Sequence, residues 1–360
     1  RFPVSVVLFV TATGAPMTPL FDTAFPLIQA PMAGVQDWRL AAAVCEAGGL
    51  GSVPAGVLNI QGLEEQLTQL SAATAKPWNV NFFCHRPPTP DPLGEQRWVE
   101  TLQPFYEEFA ADAAAIPHGP SRQPFDQDCA TVLERFRPAV VSFHYGLPEA
   151  ALLDRVKATG AKVLSSATTV EEALWLADNG ADGVIAQGLE AGGHRGHFLN
   201  DDLSLQQGTV SLLPQIRDAI SLPVIAAGGI ATPAGVKAAR ALGASAVQVG
   251  TAYLLCPQAT TKGVHRQWLQ SDRARHTALT TVFSGRPARG IINRLMATVG
   301  TMPETAPAFP LAGNAIGPLR AAAEAQGSGD CSPLWAGQFA SACRDVSAVE
   351  VTRWLAEGWS

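Results

Sequence analysis

Eight short apolar runs recur along this chain, most of them followed by an alanine-rich amphipathic stretch. They are residues 26–32 (PLIQAPM), 48–54 (GGLGSVP), 77–83 (PWNVNFF), 138–144 (PAVVSFH), 161–167 (AKVLSSA), 182–188 (DGVIAQG), 222–229 (LPVIAAGG) and 245–251 (SAVQVGT). They are apolar on both sides, as strands of a parallel sheet covered by helices must be. The intervening stretches carry helix punctuation. Residues 35–48 open after one glycine and close on another. Thr169 is an expected N-cap with Glu172 as its capping-box partner, and that helix stops at Asn179-Gly180. Thr232-Pro233 opens a helix that ends at Gly243. Eight strands alternating with helices predict a (β/α)8 TIM barrel. An open doubly wound sheet would need GxGxxG after its first strand, and the chain has no such motif.

Two regions break the rhythm. Residues 84–137 contain eight prolines and two expected helices, a lid-like insertion after strand 3. Residues 257–360 follow the last strand and read as a helical lobe covering the active site, with helices expected over 334–345 and 347–358. The barrel proper is then 17–256. The opening RFPVSVVLFV is short, with a single basic residue, so residues 1–16 read as a non-native or signal-like leader and Met17 as the native start.

Composition narrows the function. Net charge is −6 and charged residues are only 16% of the chain, which argues against disorder and against a nucleic-acid partner. Apart from the leader, no stretch reaches the ~18 apolar residues of a membrane span. The six cysteines form no CxxC pair, so they read as reduced thiols of a cytoplasmic protein without a zinc site.

In such barrels chemistry sits where strands end. The strand ends here offer Ala30, Pro31, Met32, Asn81, His144, Ser165, Gln187, Gly228, Gly229, Gln248, Gly250 and Thr251, rich in glycine, amides and histidine. They include no carboxylate pair, which makes glycosidase chemistry improbable. Glycines after strands 7 and 8 suit a phosphate approached by backbone N–H groups. The segment 187–198 (QGLEAGGHRGHF) is the most distinctive, with Gly192 and Gly193 leading into His194. His197 makes an HxxH with it, but no third ligand is evident, so no metal is expected. His85 lies just beyond strand 3, between lid and pocket.

Taken in order, IQAPMAGV, GGLGSVP, NVNFFCHRP, VSFHYG, VIAQGLEAGGHRG, AAGGI, VQVGTAYLLCPQ and SGRPARG resemble the nitronate monooxygenase (2-nitropropane dioxygenase) family, in its class I branch. The resemblance implies an FMN-dependent TIM barrel. The FMN phosphate would lie on Gly228-Gly229 and Gly250-Thr251, and the ring near Ala30, Pro31 and Met32, with Asn81 and Gln187 at its polar edge. Gly192-Gly193 would flank the flavin, and His194 and His144 would face the substrate. The implied reaction is oxidative denitrification of a nitronate with O2, through a flavin semiquinone, to a carbonyl compound and nitrite, by a monomer or homodimer.

The chain departs from that pattern in 309–319 (FPLAGNAIGPL), which lacks the usual pocket Tyr and Lys and has Gly313 and Gly317 in their places. A wider or less polar pocket is expected, which makes small nitronates such as propionate 3-nitronate doubtful substrates. Two other readings stay open on the residues: an NAD(P)H-dependent FMN reductase of an enoyl thioester or quinone, and a redox-inactive barrel binding FMN or another phosphate ligand.

Overall fold

The computed structural model describes residues 20–119 and 122–359, so the 1–16 leader lies outside the described residues. Eleven strands run in chain order: β1 (Leu27–Gln29), β2 (Gly51–Pro54), β3 (Trp78–Phe83), β4 (Val140–His144), β5 (Lys162–Ala167), β6 (Gly183–Gln187), β7 (Gly193–His194), β8 (Val224–Ala227), β9 (Ala246–Val249), β10 (Thr277–Thr280) and β11 (Ala288–Ile291). Eight of them form one parallel sheet in the order β1-β9-β8-β6-β5-β4-β3-β2. Leu50, just before β2, bonds to Leu27 O and Gln29 N across the gap to β1, which closes the sheet into a barrel. Each of these eight strands falls inside one of the apolar runs read from the sequence.

The strands are buried on both faces. Ile28, Leu164, Ile185 and Ile225 fill the barrel interior, while Leu27, Val184, Val224 and Val247 pack outward on the helices. One sector of the interior is polar: Asn79 Nδ2 donates to Ser52 Oγ and to Ser142 Oγ, both at 2.9 Å, while its Oδ1 is buried without a partner among the described residues. Thr169 caps the helix Val170–Asp178 by accepting from Glu172 N at 3.2 Å. The expected reciprocal capping-box bond is absent among the described residues. The buried Glu172 carboxylate instead accepts from Thr168 N and Oγ1 and from Phe198 N and Leu199 N. It thereby ties the loop after β6 to the barrel.

The insertion after β3 holds the two expected helices, Pro92–Glu108 and Gln127–Phe136, which have different roles. Gln127–Phe136 packs on the barrel through Ala130, Val132 and Leu133. Pro92–Glu108 leaves the barrel and packs on the helix Ala312–Ala325. There Trp98, Leu102 and Phe105 meet Ala315, Ile316 and Leu319 in a second core. Trp98 Nε1 donates to Ala312 O at 3.1 Å and Tyr106 Oη to Ala315 O at 2.5 Å. Each large apolar side chain fully buried here contributes ~1.5–3 kcal/mol.

The region after β9 differs from the helical lobe expected of it in three ways. Its last helix, Ala348–Ala356, belongs to the barrel wall, where Ala348, Val351 and Leu355 join the main core beside the helices Trp38–Ala47 and Pro233–Ala241. Residues 334–345 are a strap rather than a helix, apart from one 3₁₀ turn at Ala340–Ala342. Their backbone donors are used outside the segment: Ala336 N to Arg289 O, Gly337 N to Thr251 Oγ1, Gln338 N to Glu190 O. Finally, β10 and β11 form an antiparallel sheet with β7, pairing Ala288 with His194 and Arg289 with Gly193. Two-residue strands such as β7 leave no periodicity to read in a sequence.

Candidate active site

A cavity opens at the carboxyl ends of the barrel strands. Its walls include Ala30, Pro31, Met32, Asn81, His144, Gln187, Gly192, Gly193, His194, Gly228, Gly229, Gln248, Gly250 and Thr251. The residues expected to hold the cofactor or face the substrate are therefore brought to one place, whereas Ser165 is buried off the wall, donating to Gly146 O at 2.7 Å. His85 is not on that wall; it is buried against Phe309, ring centroids 4.9 Å apart.

The cavity has two unlike sides, and the first is built of backbone. Gly228 and Gly229 follow β8 with φ of 121° and 70°, a conformation that side chains resist. Among the described residues, no acceptor meets the N–H of Gly229 or Ile230. At Gly192 a Cβ would lie 2.5 Å from Gly337 N, so only glycine lets the strap pass. Gln248 Oε1 is buried without a partner, an acceptor left for a ligand's donor.

The second side is built of side chains. His194 Nε2 lies 2.8 Å from Ser284 Oγ, and that hydroxyl is 3.2 Å from Arg286 O, to which it donates. Ser284 thereby engages the Nε2 edge of the imidazole, and Nδ1 has no hydrogen-bond partner among the described residues. Burial, with Arg122, His144 and Arg286 nearby, pushes the His194 pKa well below its usual value, so the ring is neutral at pH 7.

His144 is differently used. Its Nδ1 is 3.0 Å from Ser166 Oγ and its Nε2 is 3.1 Å from the carbonyl oxygen of His194. Both ring nitrogens are engaged, and burial pushes its pKa down to about 3. Gln187 is spent in the same way, donating from Nε2 to His194 O at 2.9 Å and accepting from Gly196 N at 2.8 Å. Both residues hold the His194 loop in place. Asn81 Nδ2 donates to Ser142 Oγ at 3.0 Å, so its oxygen is the amide atom left for a ligand. Arg195, fully buried, donates to Gln206 Oε1, Gly188 O and Gln187 O, each at 2.7 Å, and cross-links the loop beneath the cavity.

Sequence reading missed several residues. Ser284 and Arg286 lie in the SGRPARG segment but showed no sign of their partners, since they reach His194 and Tyr145 from distant parts of the chain. Trp335 and Phe339 line the mouth from the strap. Arg122 reaches the cavity from the proline-rich insertion, where no motif surrounds it.

The barrel mouth thus has free backbone N–H groups on one side and a neutral imidazole on the other. Comparison with known proteins narrows the class. The family model "Nitronate monooxygenase" matches residues 15–357. A nitronate monooxygenase of Pseudomonas aeruginosa is 42% identical over 336 residues, covering 92% of this chain and 95% of that protein. One from Paraburkholderia phytofirmans is 41% identical over 341 residues, covering 94% and 93%. Among solved structures, nitroalkane oxidase from Streptomyces ansochromogenes superposes with a TM-score of 0.85 at 37% identity, covering 93% of this chain and 95% of that one. FabK from Thermotoga maritima, with a TM-score of 0.69 at 24% identity over 94% of each chain, shares the fold. The chain belongs to the nitronate monooxygenase family and is a flavin-type oxidoreductase. No described helix is long and apolar enough to cross a membrane.

Proposed function

We propose that this enzyme binds FMN and oxidises alkyl nitronates with O2, releasing a carbonyl compound and nitrite. The observation that carries this reading is the His194 geometry: a neutral imidazole with Nε2 2.8 Å from Ser284 Oγ, and with Nδ1 free of partners among the described residues, across the cavity from the glycine backbone. The residues present fit FMN. The positive-φ glycines Gly228 and Gly229, with Gly250 and Thr251, would hold its phosphate at the start of the helix Pro233–Ala241. Ala30, Pro31, Met32, Asn81 and Gln248 would meet its ring, with Gly192 and Gly193 flanking it. Bound there, FMN supplies the electron acceptor that a side-chain-only site lacks.

The chain's own residues do the rest. A nitronate is already an anion, so binding it requires no strong base. His194 Nδ1 can accept a proton from the α-carbon when a neutral nitroalkane enters, because the imidazole is neutral at pH 7. His144 and Gln187 fix the His194 carbonyl, and Glu172 fixes Phe198 and Leu199 just beyond it, so the imidazole does not drift. Trp335, at 5.4 Å from the His194 ring, and Phe83, at 6.4 Å, make the substrate side apolar and limit water.

The test is oxygen uptake by FMN-loaded protein given ethylnitronate or propyl-2-nitronate, with nitrite assayed in parallel. Oxygen uptake with matching nitrite is expected. An inert response to both, with NAD(P)H-driven reduction of an enoyl thioester or a quinone instead, would replace this reading by the reductase one.

A further inference from the structure

Among the described residues lining the cavity, Arg122 alone carries a formal charge, and none is an aspartate or glutamate. Arg122 is poorly placed for a structural role. Among the described residues its guanidinium makes no hydrogen bond and no ion pair, and its named contact is with the Phe309 ring, 5.4 Å from the centroid. Two guanidiniums that are buried, Arg195 and Arg289, are satisfied instead. Arg195 is saturated by three oxygens, and Arg289 bonds Leu189 O and Thr277. A half-buried cation on a cavity wall, left without an acceptor, loses hydration that nothing replaces, and burial accordingly lowers the Arg122 pKa. An anion bound beside it would offset that cost, and the fork of a guanidinium suits two oxygens on one planar centre.

Its surroundings fit a ligand more than a core. Arg122 shares the Phe309 ring with His194, whose centroid is 5.5 Å from that ring. Of the charges that lower the His194 pKa, Arg122 acts most strongly. The cation thus faces the imidazole side of the cavity. On the glycine side, Glu190 packs against Gly229 and accepts from Thr209.

We propose that Arg122 is a specificity-determining residue that reads the negative charge of the substrate. Through it the enzyme takes the planar, two-oxygen nitronate anion in preference to the neutral nitroalkane. The proposal rests on the nitronate reading above, and it gives the insertion after β3 a function: it delivers the one cation among the described residues of the cavity wall.

Nitrate is the probe, a planar monoanion with the oxygen geometry of a nitro group. It is titrated into FMN-loaded wild type, Arg122→Met and Arg122→Lys, following the flavin spectrum. Wild type is expected to bind nitrate and Arg122→Met to bind it about tenfold or more weakly, the scale of one charge-assisted hydrogen bond. Arg122→Lys should recover part of the loss. In steady state, Arg122→Met should raise KM for ethylnitronate by a similar factor while kcat, and all parameters for nitroethane, change little. Equal nitrate affinity in wild type and Arg122→Met overturns the proposal, and so does loss of FMN from Arg122→Met, which would make the residue a cofactor ligand. If the enzyme turns over no nitronate, the nitrate titration still decides whether Arg122 binds anions, so the two failures stay distinct.

Discussion

The two sides of the cavity are made by different means. The glycine side takes its character from backbone: Gly228, Gly229 and Gly250 follow directly on β8 and β9. The histidine side takes its character from side chains gathered across the chain: His144 from β4, His194 from β7, Ser284 and Trp335 from the region after β9, Arg122 from the insertion after β3. A backbone site is fixed once its strands pair. A side-chain site also needs its neighbours in place, so its parts fail separately and by smaller amounts.

The largest effect is expected on the glycine side. Gly228 has φ of 121° and a Cβ there would lie 2.8 Å from Thr209 Oγ1, so Gly228→Val should purify folded but without flavin. Flavin absorbance together with circular dichroism checks this, and full FMN retention would break the contrast between the two sides.

On the other side, His194→Asn should keep FMN and lose ~10²–10⁴-fold in kcat with a nitroalkane, the usual worth of a general base. His144→Asn should lose less, because both His144 nitrogens already serve the loop. Equal losses would mean that the two imidazoles share one role. Ser284→Ala should reduce turnover by about fivefold, the rate equivalent of one ~1 kcal/mol hydrogen bond.

The smallest effect concerns pH and stability. His85, His144 and His197 are buried and neutral, with pKa values pushed down to about 4, 3 and 4. Unfolded, each would titrate near 6.5. The unfolded chain therefore binds more protons as pH falls, and the folded state loses stability from about pH 6.5 down toward 4. Thermal melts over that range should show a falling Tm, whereas a flat Tm would mean that these imidazoles are solvated in the fold.

The same contrast explains what the sequence made legible. Strands of the barrel and the glycines at their ends are local, because period, flanking helices and turn residues all lie within one segment. The barrel and the glycine side could therefore be read directly. The strap over 334–345 could not. Its composition suits a helix, but its donors find Arg289, Thr251 and Glu190, partners that only the folded barrel supplies. Helix Ala348–Ala356 has the same apolar face whether it covers a lobe or a barrel, so its docking on the wall was invisible as well. Arg122 carried no signal, since one arginine in a proline-rich stretch looks like any solvated charge.

Anaerobic mixing of the FMN-loaded protein with ethylnitronate, and separately with NADH, tests the proposed chemistry most directly. Rapid loss of oxidised-flavin absorbance with the nitronate, and little with NADH, is the expected result. An unchanged spectrum with the nitronate, beside rapid bleaching by NADH, would contradict it.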